Sequence, residues 1–304
     1  MNQDLHGHFP AMLTPVSADG TLDTPRALAH ALHLAASGCD GVALFGTTGE
    51  GPAFTNAERK GLLEAMLAGG LHPEQIVVTI SACALADAID LGRHAAARSC
   101  HRQMFMPPFY FRQPRDAGIV EAVSQVVRGI DDKDLKLLLY HIPALSSVEF
   151  DHRSIATLVQ RHPGQVIGVK DSSGSLEHGL ALAHAFPALS ILVGAEPYVA
   201  AVMRAGGSGS INGLANIAPA LMTRVIAAPS AVSTSDEKLV RDLLALLHVL
   251  PGMPFVSVYK TMLAEQTGDD AWLNVRAPLS MLDNTEAQTV RKAYRAIGAL
   301  LASV

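Results

Sequence analysis

The chain has 304 residues, 49% of them hydrophobic, so it can bury a large core, and about 200–250 residues is a common size for one barrel domain. The formal net charge is −5, with no basic run and only five Tyr, nine Phe and one Trp, which argues against a nucleic-acid surface. No apolar run reaches the roughly 18 residues of a membrane span, and MNQDLHGHFP at the start has neither the basic nor the apolar part of a signal peptide. Cys39, Cys83 and Cys100 are odd in number and lack metal-ligand spacing, so they read as reduced core residues of a cytoplasmic protein.

Short apolar runs alternate with longer helical patterns. Residues 9–14 read as a first strand, closed by the turn Ser17-Ala18-Asp19-Gly20. Thr24-Pro25 opens a helix to about Ser37, with the proline in its first turn. Residues 41–45 form a second strand, followed by Gly46-Thr47-Thr48-Gly49-Glu50-Gly51. Thr55 and Glu58 form a capping box for a helix to about Ala68. Strands follow at 76–81, 103–106, 135–140, 166–170, 190–193 and 208–212. Helical patterns separate them at 85–99, 115–129, 151–161, 176–185 and 198–205, and 219–228 closes the series.

Eight β-then-α units fill about 225 residues. Strict alternation implies parallel strands with right-handed crossovers, and eight units close naturally into a (β/α)8 barrel; a doubly wound open sheet is the rival. The expected organisation is a barrel over residues 1–228 and a C-terminal helical region over 229–304, with helices at 235–248, 256–266 and 285–301.

In such a barrel, active sites gather where the strands end. Thr47 and Thr48 follow strand 2, and Phe109-Tyr110-Phe111 follows strand 4. Strand 5 ends in Tyr140, strand 6 in Lys170, strand 7 in Gly194 with Glu196, and strand 8 in Ile211-Asn212-Gly213. Lys170 alone among the lysines ends an apolar strand, where an ammonium is costly to bury. An unprotonated, desolvated lysine forms Schiff bases with carbonyls. A neighbouring tyrosine can move the protons that step requires, and threonine hydroxyls with turn N–H groups can hold a carboxylate. Together the set suggests a 2-oxo acid bound as an imine.

Each residue also has a plainer reading. Lys170 could pair with Asp171 or Glu196, Gly46 to Gly51 could be only a turn, and either tyrosine could be a packing aromatic. Gly206-Gly207-Ser208-Gly209-Ser210 fits no phosphate-loop pattern and reads as close backbone packing. The 13 histidines contain no HExxH motif; His6 and His8 fall in the N-terminal tail, exposure is the default for His30 and His33, and only His141 lies near a strand end. No metal is expected.

The ordered set Gly46-Thr47-Thr48-Gly49-Glu50, Tyr110, Tyr140-His141-Ile142-Pro143 and Gly168-Val169-Lys170 resembles the dihydrodipicolinate synthase / N-acetylneuraminate lyase family. The resemblance runs from Leu13-Thr14-Pro15 to Arg276-Ala277-Pro278-Leu279. It implies a cofactor-free, class I Schiff-base lyase on a (β/α)8 TIM barrel, usually a homotetramer arranged as a dimer of dimers. Lys170 would form the imine with pyruvate or the pyruvate end of the substrate, and Tyr140 would be the general acid/base. Thr47 would relay protons between Tyr140 and a Tyr110 from a neighbouring subunit. Thr48 would hold the 2-oxo acid carboxylate, while Gly194 and Ile211 would shape the pocket.

Dihydrodipicolinate synthases usually carry an arginine for the second substrate's carboxylate where this chain has Leu145. Pro143-Ala144-Leu145-Ser146 is closer to the N-acetylneuraminate lyases, yet those usually have Ser-Thr at Thr47-Thr48 and an acid at Pro197, and His141 replaces the common Asn. The resemblance therefore points to an aldolase cleaving a 2-oxo acid, such as a 2-keto-3-deoxy sugar acid, to pyruvate and an aldehyde. Dihydrodipicolinate synthase proper is the second reading, and a non-catalytic 2-oxo-acid binding protein a third. Specificity should lie with Leu145, His141, Glu196 and Asn212.

Overall fold

The computed structural model describes residues 4–250 and 254–301. Strands β1 (Gly7–Pro10), β2 (Val42–Leu44), β3 (Ile76–Thr79), β4 (Arg102–Phe105), β5 (Lys136–His141), β6 (Val166–Asp171), β7 (Ser190–Val193) and β8 (Gly209–Asn212) alternate with eight helices. These are α1 (Thr24–Ala36), α2 (Asn56–Ala68), α3 (Leu85–Ala96), α4 (Asp116–Ile130), α5 (His152–Arg161), α6 (Leu176–Ala185), α7 (Val199–Arg204) and α8 (Pro219–Ala227). Then come α9 (Thr234–Ala245), α10 (Phe255–Thr267) and α11 (Asn284–Leu301). Among the described residues no helix is long and apolar enough to cross a membrane.

The strands are all parallel, and their spatial order runs β1-β8-β7-β6-β5-β4-β3-β2. A parallel bridge between Ala11 and Ala43, with Met12 N–H donating to Ala43 O at 3.0 Å, joins the ends of that order. The architecture is a (β/α)8 TIM barrel, and the open-sheet alternative, which needs a reversal of strand order, falls.

Both faces of every strand are buried. Phe9, Ala43, Val77, Met104, Leu138, Ile167, Leu192 and Ile211 fill the barrel interior, while residues such as Val42, Leu137, Leu139, Val169 and Ile191 pack outward with the helices. The register of β5 against β6 shifts between Leu137 and Leu138, which pair with Val166 and Gly168. On the other side of β6, Gly168 permits a close passage of β7, since a Cβ there would overlap the Ser190 carbonyl.

Helix starts follow the local chemistry. The Thr55/Glu58 capping box forms, and Asp151 and Ser175 cap α5 and α6. The cap of α1 is Asp23, one residue before the expected Thr24, accepting from Arg26 N–H at 3.0 Å. The first strand is shorter than expected because Leu13 N–H turns to Asn216 Oδ1 (2.9 Å) and Thr14 Oγ1 to Gly49 O (2.8 Å).

Three polar expectations are corrected. His8 and His30 are buried, the former on β1 and the latter against Trp272 at 5.0 Å and Asn216 Oδ1 at 3.0 Å. Cys39 and Cys100 are buried, but Cys83 is exposed.

Candidate active site

Tyr140 and Lys170 are register partners on β5 and β6, so both project into the barrel at its strand-end mouth. Both are buried, 2% and 4% exposed. Lys170 Nζ lies 3.9 Å from the centroid of the Tyr140 ring. Across the mouth, Thr47 Oγ1 stands 2.9 Å from Tyr140 Oη. Thr47 sits on the turn after β2, which is folded back by Glu50 N–H to Thr47 O (3.1 Å) and Gly51 N–H to Gly46 O (3.0 Å).

These groups line one cavity of about 270 Å³ together with Thr48, Gly194, Glu196, Ile211 and Asn212. Gly194 N–H donates to Asp171 O at 2.7 Å, tying the end of β7 to β6. Glu196 Oε1 accepts from Gly213 N–H (3.2 Å) and Leu214 N–H (3.0 Å), with Tyr259 Oη at 3.5 Å. Burial pushes the Glu196 carboxyl above its usual range, although those N–H groups and Lys170 pull the other way. Burial and the adjacent Glu196 keep the Tyr259 phenol well above its usual range, hence neutral and a donor. Asn212 lines the cavity, but its amide serves the fold: Nδ2 donates to Ser210 Oγ (2.7 Å) and Oδ1 accepts from Ala215 N–H (3.0 Å).

Two of the expected residues lie elsewhere. Tyr110 is 77% exposed, stacked edge-on with Phe111 at 5.3 Å, and outside the cavity lining. His141 is also absent from that lining. Side chains alternate along a strand, so the residue after the inward Tyr140 faces the helices. There His141 Nδ1 accepts from Phe150 N–H at 3.1 Å, and its ring stacks on His178 at 4.5 Å. This placement corrects the expectation of a substrate contact.

His141, Asp171 and His178 are a group of possible metal ligands, with their donor atoms within 4.8 Å of one another. His178 Nδ1 stands 3.1 Å from Asp171 Oδ1, which raises the imidazole pKa. Burial and the neighbouring His178 push His141 down to about 4, so it is neutral. Its Nδ1 is an acceptor, so the proton is on Nε2; neither nitrogen offers a free lone pair while the Phe150 bond persists.

The cavity also holds residues that were not anticipated. Ser172 lies two positions beyond Lys170, and Leu247, His248, Phe255 and Tyr259 arrive from the C-terminal helices. Ser172 could have been found from its strand-end position. The other four carry no local signal, because helical periodicity marks only a packing face.

A buried amine and phenol with a half-buried hydroxyl beside them stand at the mouth of a (β/α)8 barrel, the end of the fold where barrel enzymes carry their active sites. The sequence profile described as "Dihydrodipicolinate synthetase family" matches residues 4–297. An "Uncharacterized DapA-like lyase" of Chloroflexus aurantiacus is 33% identical over 298 residues, 96% of each chain. The crystal structure of dihydrodipicolinate synthase from Agrobacterium tumefaciens superposes with a TM-score of 0.90 at 31% identity, covering 96% of this chain and 99% of that one. A Sulfolobus solfataricus 2-keto-3-deoxygluconate aldolase variant shares the fold, with a TM-score of 0.86 at 20% identity and 98% coverage of both chains. The chain belongs to the dihydrodipicolinate synthetase family.

Proposed function

We propose that this chain is a class I lyase that reversibly cleaves a 2-oxo acid, such as a 2-keto-3-deoxy sugar acid, to pyruvate and an aldehyde. The observation that carries the reading is the Thr47–Tyr140–Lys170 cluster in one cavity, with Tyr140 Oη 2.9 Å from Thr47 Oγ1 and its ring 3.9 Å from Lys170 Nζ. Lys170, as the free amine, adds to the C2 carbonyl, and Tyr140 gives its phenolic proton to the carbinolamine hydroxyl, which leaves as water to give the protonated imine and the Tyr140 phenolate. The C3–C4 bond then breaks: its electrons move into the protonated imine to form an enamine, and the C4 hydroxyl proton passes to the Tyr140 phenolate as the aldehyde departs. The enamine takes a proton at C3, and water releases pyruvate and the amine. The imine is itself the electron sink, so this route needs no cofactor.

Thr48 and its turn hold the 2-oxo acid carboxylate, Gly194 and Ile211 shape the pocket, and Glu196 faces the aldehyde half. Thr47 passes protons onward to Tyr110 of a neighbouring subunit in a homotetramer built as a dimer of dimers. The exposure of Tyr110 in the single chain is in keeping with that assignment.

Borohydride with pyruvate should trap a covalent adduct on Lys170, and Lys170→Ala should abolish it; an unmodified wild-type protein sinks the reading. The second reading, dihydrodipicolinate synthase proper, draws on the 31% identity to the Agrobacterium tumefaciens structure. Against it, Leu145 lines the cavity, and Lys170 is the only Lys or Arg side chain among the described lining residues. The aldehyde's carboxylate then has no bidentate partner. Condensation of pyruvate with aspartate semialdehyde decides between them. Binding of 2-oxo acids without turnover on any aldehyde would favour a binding protein on this fold.

A further inference from the structure

Glu50 and Lys260 form an ion pair whose side chains are both fully buried. Lys260 lies on α10, and its Nζ also donates to Asn274 O at 2.7 Å. The second carboxylate oxygen of Glu50 accepts from Arg276 N–H at 2.9 Å. Arg276 continues the network through Nε to Gly20 O (2.7 Å), and through Nη1 to Ala53 O (2.9 Å) and to the Glu58 carboxylate. Glu50 closes the turn that carries Thr47 and Thr48, three residues after Thr47, and takes a left-handed φ of 56° there. Residues other than glycine rarely adopt that conformation without a local reason.

A buried ion pair is a poor way to gain stability, because apolar residues of similar volume usually serve as well. What a charge pair adds is direction: the carboxylate must meet the ammonium and the Arg276 N–H in one orientation. That orientation fixes the end of the Thr47–Thr48 turn against the C-terminal helices, and Thr47 in turn meets Tyr140 at 2.9 Å.

We infer that Lys260 and Glu50 are positioning residues for proton transfer at Lys170, holding Thr47 Oγ1 in register with Tyr140 Oη. The inference rests on the Schiff-base reading. It assigns the C-terminal helical region a part in the chemistry that reaches the reacting atoms through Glu50 and the turn. Loss of the pair leaves Lys170 in place and loosens the hydroxyl beside the acid/base tyrosine.

Pyruvate alone is a sufficient probe. Once bound as the imine, it loses a methyl proton to give the enamine and regains one from solvent, so its methyl group exchanges with deuterium in D2O. Borohydride trapping of pyruvate counts the protein able to form the imine, and NMR gives the methyl exchange rate. The double variant Glu50→Gln/Lys260→Met removes both charges together, which avoids leaving one ion stranded, and Lys260→Met alone provides a second measurement. Expected is an exchange rate per trapped lysine at least tenfold below wild type in both variants. A purely structural pair would lower the trapped fraction and the exchange in equal proportion, leaving the rate per trapped lysine unchanged, and that result overturns the inference. If wild type itself is neither trapped nor exchanges, the Schiff-base reading fails and this inference with it.

Discussion

Tyr140 occupies the centre of the site, 2.9 Å from the Thr47 hydroxyl and with its ring against Lys170. Tyr140→Phe should leave the amine in place but remove the proton carrier, lowering turnover by about 10²–10⁴-fold while borohydride still traps the more slowly formed imine on long incubation. Retained turnover in that variant would assign the acid/base role elsewhere. At this scale much was legible. An amine, a phenol and a hydroxyl at strand ends are recognisable from residue type and position alone. Nearness to a strand end alone places His141 at the rim, but side chains alternate: the residue after an inward tyrosine points to the helices, and the same alternation turns Asp171 from Lys170's side toward His178. Tyr259 was not legible, since its contact with Glu196 spans 63 positions.

Among the elements, β6 carries the most constraint. It delivers Lys170 inward only because the register shift beside Gly168 resets its phase against β5. Gly168→Ala should push β6 from β7, since the new Cβ would overlap the Ser190 carbonyl, a backbone group that cannot rotate away. The expected loss is about 3 kcal/mol or more of stability, at the upper end of overpacking costs, read as a lower urea midpoint. An unchanged midpoint would mean that the strands can spread without cost. Strand positions came from runs of β-branched and aliphatic residues, and helix starts from caps such as Thr55 with Glu58. The bulge had no comparable signal, because a glycine in an apolar run looks alike whether the register shifts or not.

For the whole molecule, burial of histidine sets an acid limit. His8, His30 and His141 are each pushed down to about 4, chiefly by burial. In the unfolded chain they would protonate near 6.5. Between about pH 6.5 and 4 the unfolded state therefore binds more protons, so stability is full above that window and is lost as pH falls through it. Each group should contribute up to about 1.4 kcal/mol per pH unit. Urea midpoints measured at pH 7, 6 and 5 should fall steadily, and a flat series would show that these imidazoles are protonated without cost.

The alternation of eight apolar runs with eight helical patterns was enough for the barrel, because parallel strands with right-handed crossovers leave few ways to bury both faces. The same pattern put Lys170, Tyr140, Thr47 and Thr48 on one rim. Which side chains the C-terminal helices bring to that rim was decided only in three dimensions. Phe255 and Tyr259 reach the cavity while Lys260, the next residue, turns to Glu50, since successive residues on a helix project about 100° apart and meet different neighbours. The oddly placed lysine was visible in one strand; the network that surrounds its partners exists only where distant segments meet.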